Sequence, residues 1–297
     1  MYSNSNKDRS TTFFVKEDAT LFDFVLKKMG SMSRTAVKSL LMKGQISVNN
    51  NSETKYDAPL HAGDKVKVDF VRGTVGLKNA KLSVLYEDDY IIVVNKKEGL
   101  LSVATEKNEE ATAFRLVMNY LKKQNLNNRL YIVHRLDRET SGVLVFAKSK
   151  EVQEFMMSNW QRIVKEKIYY ALVEGRMEQQ EGTIHTWLNE DKKSKMVFSC
   201  DFDNGGQESF TDYKVVKEFR SYTMLHVNLR TGRKNQIRVH LQSIGHPIVG
   251  DKKYGAVPSP IGRIGLHALR ITLYHPVTKK EMTFEAPLPE KMANFKQ

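Results

Sequence analysis

The sequence predicts an α+β fold in two parts, a large sheet-rich domain preceded by a small basic module, and three observations carry that prediction. Short runs rich in β-branched and aromatic residues recur from Leu82 onward, with helix-period stretches between them. A basic stretch holding two glycines, RGTVGLKNAK over residues 72–81, separates two independent apolar patterns and reads as a linker. The polar nonapeptide HRLDRETSG, His134 to Gly142, sits between LYIV (Leu130 to Val133) and VLVFAK (Val143 to Lys148). It therefore reads as a loop held by a sheet, which is where a rigid scaffold presents chemistry.

A chain of 297 residues, 40% hydrophobic and 9% aromatic, is long enough for two domains and apolar enough to bury a sizeable core. Its 47 Lys and Arg against 34 Asp and Glu leave a net charge of +13, and the pI is near 9.5. That balance points to a polyanionic partner, nucleic acid before membrane surface, because the chain has no long apolar run and no basic amphipathic anchor. The single cysteine, Cys200, cannot form an internal disulfide. A reducing, cytoplasmic setting is expected, and the polar start MYSNSNKDRS has no apolar core that would make it a signal or transit peptide. Eight scattered histidines without metal-ligand spacing, and the absence of GxxxxGK[ST] or GxGxxG, predict chemistry without metal or cofactor.

Taken in order, residues 1–12 are rich in Ser, Asn and charge and are expected to be flexible. The basic module follows over residues 13–71. Thr20 and Asp23 form a capping pattern ahead of Leu21, Phe22, Val25 and Met29, and Gly30 stands where a C-cap would. A second helix begins at Ser33, burying Val37, Leu40 and Leu41 and showing Arg34 and Lys38, four apart, on its exposed edge. Strands are expected at residues 45–50 and, after a turn, within 61–70. This helix, helix, strand, turn, strand order resembles the S4 RNA-binding domain, which would make Arg34 and Lys38 RNA contacts. A solvated charged face is the plain alternative.

The larger domain is expected over residues 82–297. LSVLYEDDYIIVVNK gives two strands around an acidic turn, and a helix over residues 112–123 buries Ala113, Leu116 and Val117. Another over 152–163 buries Val152, Phe155, Met156 and Trp160, an apolar stripe that reads as core. KIYYALVEG, Lys167 to Gly175, alternates as a strand, so Lys167, Tyr169 and Ala171 share one face. TIHTWL, SFTDYKVV and YTMLHVNL read as further strands. LRTGRKNQIRVHL, Leu229 to Leu241, is a strand that turns through Thr-Gly into a helix, bringing Arg233 and Arg238 toward one pole of the sheet. GLHALRITLYHP, Gly265 to Pro276, alternates again, and a turn leads to EMTFEAPLP.

Within the nonapeptide, Asp137 is bracketed by Arg135 and Arg138, and neighbouring guanidinium charge favours a carboxylate that can act as base or nucleophile. By composition alone an ion-paired turn fits equally well. HRLDRETSG, however, resembles the HRLDxxTSG signature of the RluA-like pseudouridine synthases of the large-subunit rRNA type, and KIYYALVEG and the QIRVH block follow in the family's order. The likeness covers about residues 80 to 290.

The resemblance implies a mostly antiparallel mixed sheet with flanking helices and a cleft running across it. It implies isomerisation of uridines in structured RNA, rRNA favoured and tRNA possible, by a monomer. It assigns Asp137 as the essential carboxylate, attacking the nucleoside or taking a ribose proton. Tyr169 becomes the active-site ring and Arg238 the ion-pair partner of Asp137. Arg135 would fill the vacancy left by the flipped base, Leu266 would pack beside that base, and Arg233 is a further phosphate contact. Two departures stand out: Lys97 replaces a usual proline, and Lys234-Asn235 replaces a more frequent Thr-His. A non-catalytic RNA-binding or ribosome-assembly factor and a metal-free hydrolase are the rival classes. An intact Asp137, Tyr169 and Arg238 speaks against the first, and release of free uracil would mark the second.

Overall fold

The computed structural model describes residues 10–30, 32–42, 44–49, 51–69, 79–104 and 111–296. The chain divides into two compact units, Met1–Lys78 with Asn119–Asn128 and Asn79–Met118 with Arg129–Gln297.

The first unit opens with β1 (Ser10–Phe14) and β2 (Ala19–Thr20), which run into α1 (Leu21–Lys28) and α2 (Arg34–Met42). Four short strands follow: β3 (Ile46–Val48), β4 (Asn51–Ser52), β5 (Pro59–Leu60) and β6 (Lys65–Asp69). Thr20 starts α1 as its composition suggests: the hydroxyl accepts from the Asp23 amide at 3.3 Å and donates to the Asp23 carboxylate at 2.8 Å. Ser33 Oγ accepts from the Ala36 amide in the same way at the head of α2. Both helices lay their apolar stripe, Leu21, Phe22, Val25, Val37 and Leu41, against Ile46, Val66 and Val68 of the sheet ordered β1-β6-β3-β4. Arg34 and Lys38 stay exposed on α2.

This unit corrects one expectation. Residues 10–12, assigned to a flexible N-terminus, are part of β1, with Ser10, Thr11 and Thr12 opposite Asp69, Val68 and Lys67. The two threonines and the phenylalanines after them supply β propensity that the polar residues before them hide. Residues 1–9 and 72–78, the rest of the expected N-terminal segment and most of the expected linker, lie outside the described residues. Asn79 to Lys81, also counted as linker, form a turn in which the Asn79 side chain accepts from the Lys81 amide.

The remaining elements are β7 (Leu82–Glu87), β8 (Ile91–Lys96), α3 (Ala113–Gln124), β9 (Tyr131–Ile132), β10 (Ser141–Ala147), α4 (Lys150–Ser158) and α5 (Trp160–Ile163). They continue with β11 (Val164–Glu174), β12 (Glu181–Glu190), β13 (Val197–Cys200), β14 (Gln207–Glu218), β15 (Tyr222–Leu229) and α6 (Gln236–Ser243). Last come β16 (Leu266–Tyr274), β17 (Glu281–Glu285) and α7 (Glu290–Ala293). Strands β7 to β17 make one eleven-stranded sheet with the central order β13-β12-β14-β15-β11-β16-β10-β8-β7. Strand β17 is added on β16 and β9 on β10. The described pairings are antiparallel except β10 with β16, so the sheet is mixed and mostly antiparallel.

Helix α6 covers one part of the sheet, burying Ile237 and Leu241 against Ala171, Val173, Leu225 and Val227. Helix α4 covers another, with Val152 and Met156 on Val93, Val143 and Val145. Each such side chain, fully buried, contributes about 1.5–3 kcal/mol. The helix expected over residues 152–163 is two helices. Asn159 ends the first, its side-chain amide donating to the Phe155 carbonyl at 2.9 Å, the kind of local competition that makes Asn a helix breaker.

Candidate active site

The loop of residues 133–140 leaves β9 and enters β10, and its backbone is anchored at several points. Ser102 grips Leu136 twice, donating to its carbonyl at 2.6 Å and accepting from its amide at 3.1 Å. The Arg138 carbonyl accepts from the Gly99 amide at 2.8 Å and from Lys96 Nζ at 3.2 Å. Lys96 ends β8 with no exposure, and its ammonium also donates to the Leu100 carbonyl at 2.8 Å. Burial pulls its pKa down to about 7 even though Asp137 and Glu139 favour the charge. At the far end Arg263 donates to Ser141 Oγ at 2.6 Å, and Ser141 meets His267 Nδ1 at 2.8 Å. His267 Nε2 lies 3.2 Å from the Ala286 carbonyl, which requires a donor there, so Nδ1 is the acceptor for Ser141.

Gly142 completes the anchoring. Its φ is +117°, and a Cβ there would stand 2.0 Å from the Ala268 carbonyl oxygen. The parallel contact of β10 with β16, Ser141 opposite His267 and Gly142 opposite Ala268, depends on the absence of a side chain. The glycine that closes the loop thus fixes where β16, and with it Leu266, stands beside Asp137.

These anchors hold Asp137 at the wall of a cavity of about 230 Å³ whose lining also includes Arg135, Tyr169, Arg233, Arg238 and Leu266. Six residues named from widely separated parts of the sequence therefore meet in one cleft. Arg135 and Arg233 are exposed at its rim, and Leu266 is buried in its wall with Ile237 and Leu229 nearby. Tyr169 projects from β11. Burial first, and then the Asp137 charge, raise its hydroxyl pKa, so the phenol stays protonated and keeps a proton to donate.

Arg238 sits in the first turns of α6, where it makes the expected ion pair with Asp137 and a second, shorter one with Asp251. Its Nη1 lies 3.5 Å from Asp137 Oδ2, a long contact, while Nε and Nη2 grip Asp251 at 2.6 and 2.7 Å. Asp251 has no exposure. Burial works against the guanidinium charge, but the hydrogen bonds and charge of Asp251, then the charge of Asp137, outweigh it and raise the Arg238 pKa. The fork is thus oriented by Asp251 and presents its remaining edge to Asp137.

The Lys234-Asn235 departure acquires a structural role here. Asn235 takes the left-handed conformation, φ 54°, at the head of α6. Its side chain donates to the Tyr254 hydroxyl at 2.9 Å and accepts from Arg238 Nη1 at 3.2 Å. Lys234 pairs with Glu190 at 2.5 Å. Gln236 ties down the preceding turn, accepting from the Thr231 hydroxyl and the Arg233 amide and donating to the Phe210 carbonyl. The other departure, Lys97, is overshadowed by the buried Lys96 before it.

Arg138, expected to flank Asp137, turns its Nε to the Gly99 carbonyl at 3.3 Å. Arg34 and Lys38 belong to the first unit and are not in this cleft. Among the described residues no group of three His, Cys, Asp or Glu side chains is placed to hold a metal ion.

Sequence reasoning missed Lys96, Ser102, Asp251 and Arg263. Asp251 had a signal, an acid between Gly250 and Lys252 just after the apolar pair Ile248-Val249. Lys96 and Ser102 had none, because their partners are backbone carbonyls and amides supplied by the fold.

Comparison with known proteins accounts for the arrangement. Residues 90–243 match the family model described as RNA pseudouridylate synthase. The RNA pseudouridine synthase MG209 of Mycoplasma genitalium is 33% identical over 290 residues, 94% of this chain and 92% of that protein. The ribosomal large subunit pseudouridine synthase D of Nitrosomonas europaea is 35% identical over 227 residues, 73% of this chain and 64% of that one. The fold is shared with human RNA pseudouridylate synthase domain containing 4, at a TM-score of 0.59 and 22% identity, over 71% of this chain and 90% of that one. With its signature loop at the wall of the cleft and a family match spanning more than half its length, the chain belongs to the RluA-like RNA pseudouridine synthases and is an isomerase of uridine in RNA.

Proposed function

We propose that this enzyme isomerises specific uridines of large-subunit rRNA, with Asp137 as its catalytic carboxylate. The observation that carries the reading is the composition of the 230 Å³ cleft: one carboxylate, a protonated phenol, a buried aliphatic wall and a cationic rim. The reaction breaks the N1–C1′ bond, turns the uracil and forms the C5–C1′ bond, and the hydrogen of C5 is exchanged for one on N1. A detached uracil must be held flat and away from water, which Tyr169 and Leu266 serve by contact. Asp137 supplies the charge or basicity that opens the glycosidic bond, and Arg238 holds that carboxylate in place.

The target base leaves its stack at a cost of roughly a few kcal/mol, and Arg135, on the loop two residues before Asp137, is suited to fill the gap. Arg233 at the rim suits the backbone phosphates. The N-terminal unit, with Arg34 and Lys38 exposed on α2, acts as an S4-like RNA-holding module. An rRNA substrate agrees with the name of the Nitrosomonas relative and with the basic net charge. No helix among the described residues is long and apolar enough to cross a membrane, and a single free cysteine suits a reducing, cytoplasmic setting.

Mapping pseudouridines at single-nucleotide resolution in cells with and without the gene tests the substrate. Loss of one or a few sites in large-subunit rRNA is expected. Loss confined to tRNA would overturn the substrate assignment, and no loss in any RNA would overturn the reading as a whole.

A further inference from the structure

Beside the catalytic cleft runs a second groove, of about 530 Å³, which shares Gly232 and Arg233 with it. Its lining joins Met157 and Trp160, near the junction of α4 and α5, to the cations Arg162, Lys167, Arg230 and Arg233, and among the described residues no acidic side chain lines it. Arg230 is already paired with Asp212 at 2.6 Å. Arg162 and Arg233 are exposed and have no carboxylate within ion-pair distance among the described residues. Lys167 is half-buried, two residues before Tyr169 on β11. Its ammonium donates to the Thr231 carbonyl at 2.9 Å and would lie 3.5 Å from a Cβ built on Gly232.

Arg162, Lys167 and Arg233, gathered at the margin of a reaction site without a paired carboxylate among the described residues, repel one another, and the arrangement is stabilised when an anion enters. Burial, and then the Arg233 charge, lower the Lys167 pKa to about 8, so the groove holds this charge at some cost until an anion arrives. A lining that mixes an aromatic and an aliphatic side chain with cations matches a nucleotide chain, which offers apolar sugar and base surface as well as phosphate. Gly232, without a side chain, leaves the floor between cleft and groove open to a close backbone approach.

We propose that this groove is a phosphate subsite for the RNA strand adjoining the reacting uridine, with Lys167, Arg162 and Arg233 meeting its phosphodiester oxygens. The proposal rests on the reading that the neighbouring cleft takes a uridine of RNA, and it adds where the flanking strand runs.

The test uses the full chain and an unmodified large-subunit rRNA transcript, with affinity measured across a salt series and single-turnover rates at saturating RNA. Lys167→Met and Arg162→Gln should each flatten the log-log salt slope by about 0.7–0.9 and weaken binding at moderate salt. Lys167→Arg should recover the slope. Lys165→Met removes the same charge from the same strand, but Lys165 is exposed and paired with Glu281 at 2.8 Å outside the groove, so its slope should match the wild type. Arg162 is exposed on one turn of helix, so its variant keeps the test decisive if Lys167→Met disturbs the Thr231 turn. A steep wild-type slope left unchanged by Lys167→Met and Arg162→Gln would overturn the subsite while leaving the function standing. A fall in saturated rate with the slope intact would also overturn it, by making Lys167 a brace for the turn. A wild-type protein with no salt-dependent affinity for the transcript would overturn the subsite and the rRNA reading together.

Discussion

Replacing Arg238 by Met keeps most of the volume of the side chain and removes its charge, and the structure says where the damage falls. Asp251, fully buried, loses both arms of a fork at 2.6 and 2.7 Å. Asp137, partly open to solvent, loses one contact at 3.5 Å. Removing one partner of a buried pair costs about 3–5 kcal/mol, whereas a long, partly exposed contact is worth about 1 kcal/mol or less. Arg238→Met should therefore cost about 3–5 kcal/mol, nearly all of it through Asp251. Asp251→Asn should cost a similar amount, and the double variant no more than the larger single loss, a coupling of at least about 3 kcal/mol. The coupling of Arg238→Met with Asp137→Asn should stay below about 1 kcal/mol. Urea unfolding followed by tryptophan fluorescence suits the measurement, because the two tryptophans, Trp160 and Trp187, both lie in the second unit. Additive costs for Arg238 and Asp251, within about 0.5 kcal/mol, would refute the assignment of the fork to Asp251.

Three further outcomes are expected. Gly142→Ala forces a Cβ to within 2.0 Å of the Ala268 carbonyl at a φ of +117°, so it should cost about 3 kcal/mol or more in urea unfolding and abolish turnover; wild-type stability would contradict the close approach of β10 and β16. Burial lowers the pKa values of His240 and His267 to about 4, so both are neutral in the fold and take up protons on unfolding below the ordinary value of 6.5. The stability carried by these two rings should be fully present above pH 6.5 and be lost as pH drops toward 4, contributing up to about 2.7 kcal/mol per pH unit near pH 5; a flat profile there would show that the two rings titrate normally. Arg34→Ala with Lys38→Ala should flatten the salt dependence of RNA affinity by about 0.7–0.9 in log-log slope per contact, leaving the rate at saturating RNA nearly unchanged; an unchanged slope would make α2 a solvated face.

Much of this was legible in the sequence, for reasons that differ by residue. The strands around HRLDRETSG announced themselves by β-branched runs, and α1 by its Thr20 cap and apolar stripe, because local chemistry and tertiary role coincide there. Asp137, Tyr169 and Arg238 were found through motif resemblance, since each taken alone is also an ordinary turn former, core ring or surface charge. The break at Asn159 was missed because a 3.6-residue stripe continues through it while one amide side chain diverts a carbonyl. The edge strand β13 was missed because four residues are too few to show a period. The supports of the loop were invisible for a deeper reason. Lys96 reaches Arg138 across 42 positions, Ser102 reaches Leu136 across 34, and Arg263 reaches Ser141 across 122, so their significance exists only once the sheet is formed.

The proposed chemistry turns on the carboxylate of Asp137. Isomerisation replaces the hydrogen of C5 by C1′, so tritium carried on C5 of the uridines is released once per turnover, while simple cleavage would free uracil instead. Wild-type protein acting on a tritiated large-subunit rRNA transcript should release tritium and no free uracil. Asp137→Asn, which keeps shape and loses charge and basicity, should fall to background with its unfolding midpoint little changed. Turnover well above background in a clean, folded Asn variant would remove Asp137 from the chemistry.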